Sequence, residues 1–287
     1  MKVGLIGTGL MGQPMALRLV EANLEVMAYN RTASKLDPLK ADGVQVADSP
    51  QSLIAASECI ILMLADAPAI ETVLLSPESR QELSGKTVIQ MGTIAPQESR
   101  TIAERVTEAG GEYLEAPVLG SIPQVKSGTL QVMVGATEAQ FQQWSDLLKN
   151  LGEPVLIGSV GTAAATKLGL NQLIAALTSA FGLSLSFVQH QGADVEKFMQ
   201  ILRESALYAP TFDKKLQRMQ DGNYANPNFP TKHLLKDTNL FLKAAAELGL
   251  NTSSLEGVKS LLEAALTLGV ADDDYSALFE GIKPQKK

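Results

Sequence analysis

Apolar and polar positions alternate in two different ways along this chain. As far as Gly158, short apolar runs are separated by amphipathic stretches. The runs at 2–6, 25–29, 59–64, 87–90, 112–115, 130–134 and 154–157 have the length and β-branched content of buried strands. Apolar residues spaced at three and four predict helices at 11–22, 96–109 and 138–150. Strands alternating with helices in this way predict a mostly parallel sheet covered on both faces. Beyond Gly158 the strand-like runs stop and helical periodicity takes over. Residues 161–189 read as one long helix, followed by helices at 194–205, 210–221, 231–248 and 253–268, with Gly249, Gly257 and Gly269 as punctuation. Residues 283–287 read as a short solvated tail.

The long helix has no charged residue from 168 to 188, a stretch of 21 positions that matches a membrane span in length. Asn171, Gln172, Thr178, Ser179, Ser184 and Ser186 lie within it and would be costly in lipid. The expectation is therefore a helix buried in a protein core or a subunit interface. With 287 residues the chain has room for about two domains. Its 45% hydrophobic and 19% charged residues describe a globular protein. The net charge of −7 excludes a general nucleic-acid binder, which needs a basic field. Cys59 is the sole cysteine, so no internal disulfide forms, and its apolar run marks it as a core residue. His190 and His233 show no zinc-like spacing with it, so no metal is expected. A strand already at residues 2–6 argues against a leader, and a cytoplasmic location is the default expectation. Residues 1–162 hold 11 basic and 18 acidic side chains, whereas 163–287 hold 13 of each. An anionic ligand of the first half would have to be held by local features.

Such features are present. Gly7-Thr8-Gly9-Leu10-Met11-Gly12 fits G-x-G-x-x-G, follows a strand and opens a helix, the context of a dinucleotide-binding turn. Gly7 permits the turn, Gly9 the approach of a pyrophosphate to backbone, and Gly12 close helix–strand packing. The N–H groups at Leu10, Met11 and Gly12 would face the phosphates. After the second strand, where an acidic residue would receive a ribose 2′-OH, the chain has Asn30-Arg31-Thr32. A guanidinium there binds a 2′-phosphate, which points to NADP(H) over NAD(H). Lys167 and Asn171 lie four apart on one helix face in an otherwise apolar segment. Burial of such a lysine would lower its pKa and make it a usable acid or base.

Four segments together resemble the β-hydroxyacid dehydrogenase family, the 3-hydroxyisobutyrate dehydrogenase group, and span nearly the whole chain. They are Gly-Thr-Gly-Leu-Met-Gly-Gln-Pro-Met at 7–15, Glu-Ala-Pro-Val-Leu-Gly-Ser from Glu115 with Ser-Gly-Thr-Leu ending at Leu130, the stretch carrying Lys167 and Asn171, and Phe-Pro-Thr-Lys-His-Leu-Leu-Lys-Asp-Thr-Asn-Leu from Phe229. The resemblance implies a Rossmann-like NADP-binding domain at 1–160, an interdomain helix at 161–192 and an all-α domain at 193–287. It assigns Lys167 the general acid/base role and Asn171 an orienting role. It places Leu64, Ala65, Thr93 and Lys236 at the cofactor. Leu119, Gly120 and Ser121, with Phe229 and Asp237, would meet the substrate. Position 119 is leucine where the family commonly has serine, which removes one hydroxyl from the substrate loop. His233 and Asp237 suggest a His–Asp acid, but that reading ignores Lys167, and the two are expected as a surface pair.

The Asn-Arg-Thr, Glu-Ala-Pro-Val and Phe-Pro-Thr-Lys-His segments look like the glyoxylate/succinic semialdehyde reductase branch. That implies NADPH-dependent reduction of glyoxylate to glycolate or of succinic semialdehyde to 4-hydroxybutyrate. The rival on the same scaffold is 3-hydroxyisobutyrate or tartronate semialdehyde chemistry. Related imine reductases replace the lysine, so Lys167 speaks against them. A non-catalytic NADP-binding protein is the rival from another class; the presence of both Lys167 and Asn171 speaks against it. The apolar surface of the helical half implies a homodimer or homotetramer.

Overall fold

A computed structural model describes residues 1–284. Positions 285–287 of the expected solvated tail lie outside the described residues. The chain divides into two compact units, Met1–Leu168 and Gly169–Lys287, so the division falls inside the long helix.

The first unit runs β1 (Lys2–Ile6), α1 (Gly12–Glu21), β2 (Glu25–Tyr29), α2 (Asp37–Ala41), β3 (Gln45–Val46), α3 (Pro50–Ala56), β4 (Cys59–Leu62), α4 (Ala67–Leu74), α5 (Pro77–Arg80), β5 (Thr87–Gln90), α6 (Pro96–Glu108), β6 (Glu112–Glu115), β7 (Val118–Leu119), α7 (Ile122–Ser127), β8 (Leu130–Gly135), α8 (Glu138–Leu148) and β9 (Gly152–Gly158). The strands form one sheet in the order β3-β2-β1-β4-β5-β6-β8-β7, with β9 paired to β8. From β3 to β6 all pairings are parallel, and β8 turns antiparallel to β6 and β7. This is a Rossmann-like, doubly wound sheet whose order reverses between β1 and β4, the switch point at which such sheets take ligands. Alternate residues of the central strands feed two cores. Leu5, Cys59, Ile61 and Ile89 pack on one face; Ile6, Ile60, Leu62 and Val88 pack on the other. Cys59 is fully buried, as expected, and burial pushes its thiol pKa far up.

All seven expected strands are present, with shifted ends at three of them. β4 stops at Leu62, because Met63 and Leu64 leave the sheet towards the Asp66 cap of α4. β8 reaches Gly135 and β9 covers Gly152–Gly158, since the two pair along their whole length. β3 and β7, of two residues each, are too short to show as an alternating run.

The long helix is α9 (Thr162–His190), 29 residues, or about 44 Å at 1.5 Å per residue. The second unit continues with α10 (Val195–Arg203), α11 (Pro210–Asp221), α12 (Thr231–Glu247) and α13 (Ser253–Thr267), and closes on a 3₁₀ helix at Tyr275–Gly281. Phe181 of α9 stacks on Phe212 with ring centroids 4.7 Å apart, and Phe279 completes that cluster. Ala175 joins Leu234, Leu262 and Leu278 in a second cluster. By length and composition α9 could cross a membrane. One of its faces is nevertheless buried in the helical core. Leu173, Leu177, Leu183 and Phe187 form an exposed apolar stripe on the other. The first face meets the expectation of burial in a protein core.

Candidate active site

In the first unit the expected cofactor residues collect at the carboxyl ends of the parallel strands. Gly7 follows β1 with φ +101°, and its N–H donates to Tyr29 O at 2.9 Å. A Cβ at Gly7 or Gly12 would run into backbone, at the Met63 carbonyl and the Gly7 carbonyl respectively. At Gly9 a Cβ would meet nothing within 4 Å. Gly7 and Gly12 therefore serve packing, and Gly9 faces open space where a ligand can approach. Leu10 is exposed, and Met11 precedes α1 without a side-chain cap; the Gln13 N–H already donates to Gly9 O at 3.1 Å and Pro14 has none, so the N–H groups at Leu10, Met11 and Gly12 are those an anion could meet.

Asn30 braces this turn. Its Oδ1 accepts from the Thr8 N–H at 3.1 Å, and its Nδ2 donates to Thr32 O at 3.1 Å. Arg31 and Thr32 are exposed just beyond β2. Leu64 and Ala65 follow β4, and Thr93 follows β5, half-buried. The turn to Thr93 is held by Gln90, whose Oε1 accepts from the Gly92 N–H at 2.6 Å while its Nε2 donates to Gly92 O. Sequence reasoning did not single out Gln90.

The expected substrate loop leaves β6. Leu119 ends β7 opposite Gln131, half-buried. Gly120 has φ +136°, and a Cβ there would crowd Leu130 and Gln124. The Ser121 hydroxyl donates to Gln124 Oε1 at 2.9 Å, and the Ser121 N–H donates to the same oxygen at 3.0 Å. Ser121 therefore keeps its hydroxyl oxygen as an acceptor. Glu115 belongs to the same motif but turns away from the loop, into the start of α9.

Lys167 is half-buried on α9, one turn before Asn171. Asn171 is 2% exposed and donates from Nδ2 to Asp237 Oδ2 at 2.6 Å. The carboxylate fixes the orientation of the amide, because a flipped Asn171 would set oxygen against oxygen. Asn171 Oδ1 is then buried and accepts no hydrogen bond among the described residues. Asp237 Oδ1 lies 2.8 Å from Lys236 Nζ. Phe229 packs edge-on to Tyr275, with ring centroids 5.8 Å apart. The structure thus joins Asn171, Lys236 and Asp237 directly, and leaves Phe229 in an aromatic pair beside α12.

One expectation is overturned. His233 and Asp237 are not a surface pair: Asp237 is 3% exposed and bonded to Asn171, because Thr231, Leu234, Asp237 and Thr238 form the buried stripe of α12. Burial, reinforced by Lys236 and Lys232, holds the His233 imidazole below its usual pKa.

Residues 2–161 match a family model described as the NAD binding domain of 6-phosphogluconate dehydrogenase. Residues 161–282 match one described as NAD-binding of NADP-dependent 3-hydroxyisobutyrate dehydrogenase. The 2-hydroxy-3-oxopropionate reductase of Escherichia coli K12 is 34% identical, over 99% of this chain and 97% of its own length. Glyoxylate/succinic semialdehyde reductase 1 of Arabidopsis thaliana is 31% identical, over 99% of both chains. The fold matches that of the Mycobacterium tuberculosis 3-hydroxyisobutyrate dehydrogenase solved with L-serine, at TM-score 0.89 and 20% identity over 99% of both chains. With a strand-end cradle for a nicotinamide nucleotide and relatives matched from end to end, this chain belongs to the 3-hydroxyisobutyrate dehydrogenase-like (β-hydroxyacid dehydrogenase) family of NAD(P)-dependent oxidoreductases acting on CH–OH groups.

Proposed function

We propose that the protein is an NADPH-dependent reductase of short aldehyde acids, taking glyoxylate to glycolate or succinic semialdehyde to 4-hydroxybutyrate. The observation that carries this reading is Asn171 Oδ1, a buried acceptor held in orientation by Asp237 one helical turn from Lys167. Lone acceptors of this kind are costly to bury, and one beside a lysine suits the orienting of an ammonium or a substrate hydroxyl. When bound, the cofactor supplies a hydride to the carbonyl carbon. Lys167 holds a proton at Nζ and delivers it to the carbonyl oxygen, so that an alkoxide never accumulates. The substrate carboxylate lies against the backbone at Leu119, Gly120 and Ser121. Leu119 makes that loop drier than a serine would.

The residues present fit the nucleotide. The uncapped start of α1 and the open space at Gly9 accept a pyrophosphate, and Arg31 stands exposed where a 2′-phosphate would lie. Arg31→Ala is expected to raise KM for NADPH by about 10- to 100-fold, the worth of a lost charge-assisted hydrogen bond. KM for NADH should stay within about twofold. Equal losses with both cofactors would remove Arg31 from the 2′-phosphate.

A second reading, reduction of 2-hydroxy-3-oxopropionate (tartronate semialdehyde), has the support of the Escherichia coli relative. Following NADPH absorbance with glyoxylate, succinic semialdehyde and 2-hydroxy-3-oxopropionate ranks the two readings. A kcat/KM highest for 2-hydroxy-3-oxopropionate favours the second. No oxidation with any of the three contradicts both.

The exposed stripe of α9 supports a homodimer or homotetramer. Leu183 and Phe187 are 63% and 65% exposed, a large apolar cost for an isolated chain. Phe187→Glu combined with Leu183→Glu is expected to yield a folded monomer by light scattering. A wild-type chain that is itself monomeric would contradict the assembly.

A further inference from the structure

Glu115 is a buried carboxylate to which the reaction above gives no task. It ends β6 at 1% exposure. Its Oε1 accepts three backbone N–H groups, from Gly161 at 2.7 Å, Ala163 at 2.9 Å and Ala164 at 3.1 Å. Its Oε2 accepts from the Ser99 hydroxyl, and Ser99 Oγ lies 2.8 Å from Tyr113 OH. Ser99 has a single hydrogen and spends it on Glu115, so Tyr113 donates to Ser99. Burial pushes the Glu115 carboxyl above the usual carboxylate range, and these donors pull it back. Four partners thus converge on its two oxygens.

We infer that Glu115 is a positioning residue for Lys167, locking the first turn of α9 to the strand that feeds the substrate loop. The inference rests on the general-acid role proposed above for Lys167. The root of Glu115 is fixed by the sheet, where it pairs with Gln90 of β5 and Gly135 of β8. A Cβ at Gly135 would run into the Glu115 carboxylate, so that glycine makes its room. At the other end, Ala163 and Ala164 are the residues whose carbonyls receive the Lys167 and Leu168 N–H groups in the i to i−4 ladder of a helix. A carboxylate at the amino end of a helix is also favoured by the helix dipole. Three residues beyond Glu115 the chain enters Val118 and Leu119. One side chain thus sets where Lys167 stands relative to the loop proposed to hold the substrate carboxylate. Misplacement of a reacting group by about 1 Å costs up to about 100-fold in rate, which makes such a lock worth a buried charge.

The test is Glu115→Gln, which keeps the volume but puts an amide N–H₂ where the second carboxyl oxygen meets Ser99. It is expected to lower kcat about 10-fold with KM for NADPH within about twofold, because the cofactor turn is untouched. In a Lys167→Ala background the same change should alter the residual rate less than about twofold, since Glu115 acts through Lys167. A folded Glu115→Gln protein with wild-type kcat, or an equal loss in both backgrounds, overturns the inference. Should Glu115→Gln not fold, Ser99→Ala keeps the carboxylate and removes one donor; about a threefold fall in kcat is expected, and wild-type kcat overturns the inference. Failure of the acid assignment would be seen separately, as a Lys167→Ala enzyme with the wild-type rate.

Discussion

Lys167→Ala is expected to lower kcat by about 1,000-fold, within the range that a positioned general acid contributes. KM for NADPH should stay close to wild type, because the cofactor turn is built from other elements. Lys167→Arg sharpens the result. A guanidinium keeps the positive charge but does not release its proton at any working pH. If Lys167 is a proton donor, the arginine enzyme is as slow as the alanine enzyme. If Lys167 only attracts a negative charge, arginine restores much of the rate. Steady-state kinetics of the three proteins, with a thermal melt of each, separates the two. An alanine enzyme with kcat within about threefold of wild type would remove Lys167 from the chemistry.

Substitutions at Gly9 and Gly12 are expected to diverge. At Gly12 an added methyl overlaps the Gly7 carbonyl, which belongs to backbone and cannot rotate away. Gly12→Ala should therefore destabilise the first unit by about 2 kcal/mol or more, the scale of an overpacked core site. Gly9 has open space around a Cβ. Gly9→Ala should leave the melt unchanged and raise the Kd for NADPH by about 10-fold or more, since the space it fills is where backbone and pyrophosphate meet. Calorimetric titration with NADPH and a melt without it distinguish the cases. A Gly9→Ala protein that binds NADPH as wild type does would place the phosphates elsewhere.

The first unit was legible because its strands are buried on both faces and the residues expected at the cofactor lie at strand ends, next to their strands in sequence. Gly7 to Gly12 and Arg31 stood out from local pattern alone, whereas Thr93 was placed by the family resemblance. Short helices such as α2 and α5, of five and four residues, fell below any periodicity. Pairings over long separations were not legible. Asn171 and Asp237 are 66 residues apart, and Glu115 reaches partners 46 to 49 residues away. Nothing in local spacing tells a carboxylate which backbone it will meet. His233 and Asp237 show the opposite error: an (i, i+4) polar pair looks solvated until the helix face that carries Asp237 is seen to be buried. The acidic balance of residues 1–162 has the same lesson for binding. Bulk charge disfavours an anionic cofactor, and on the reading proposed above the local N–H groups at α1 together with Arg31 offset it.

The central claim is that this chain reduces a short aldehyde acid with NADPH by proton transfer from Lys167. It is tested most directly by mixing stoichiometric enzyme–NADPH with excess glyoxylate, and separately with succinic semialdehyde, and following one turnover of NADPH oxidation in wild type and Lys167→Ala. The account predicts fast oxidation in wild type with formation of glycolate or 4-hydroxybutyrate, and a rate about 1,000-fold lower in the variant. Equal single-turnover rates in the two proteins, or no oxidation by wild type with either aldehyde, would contradict it.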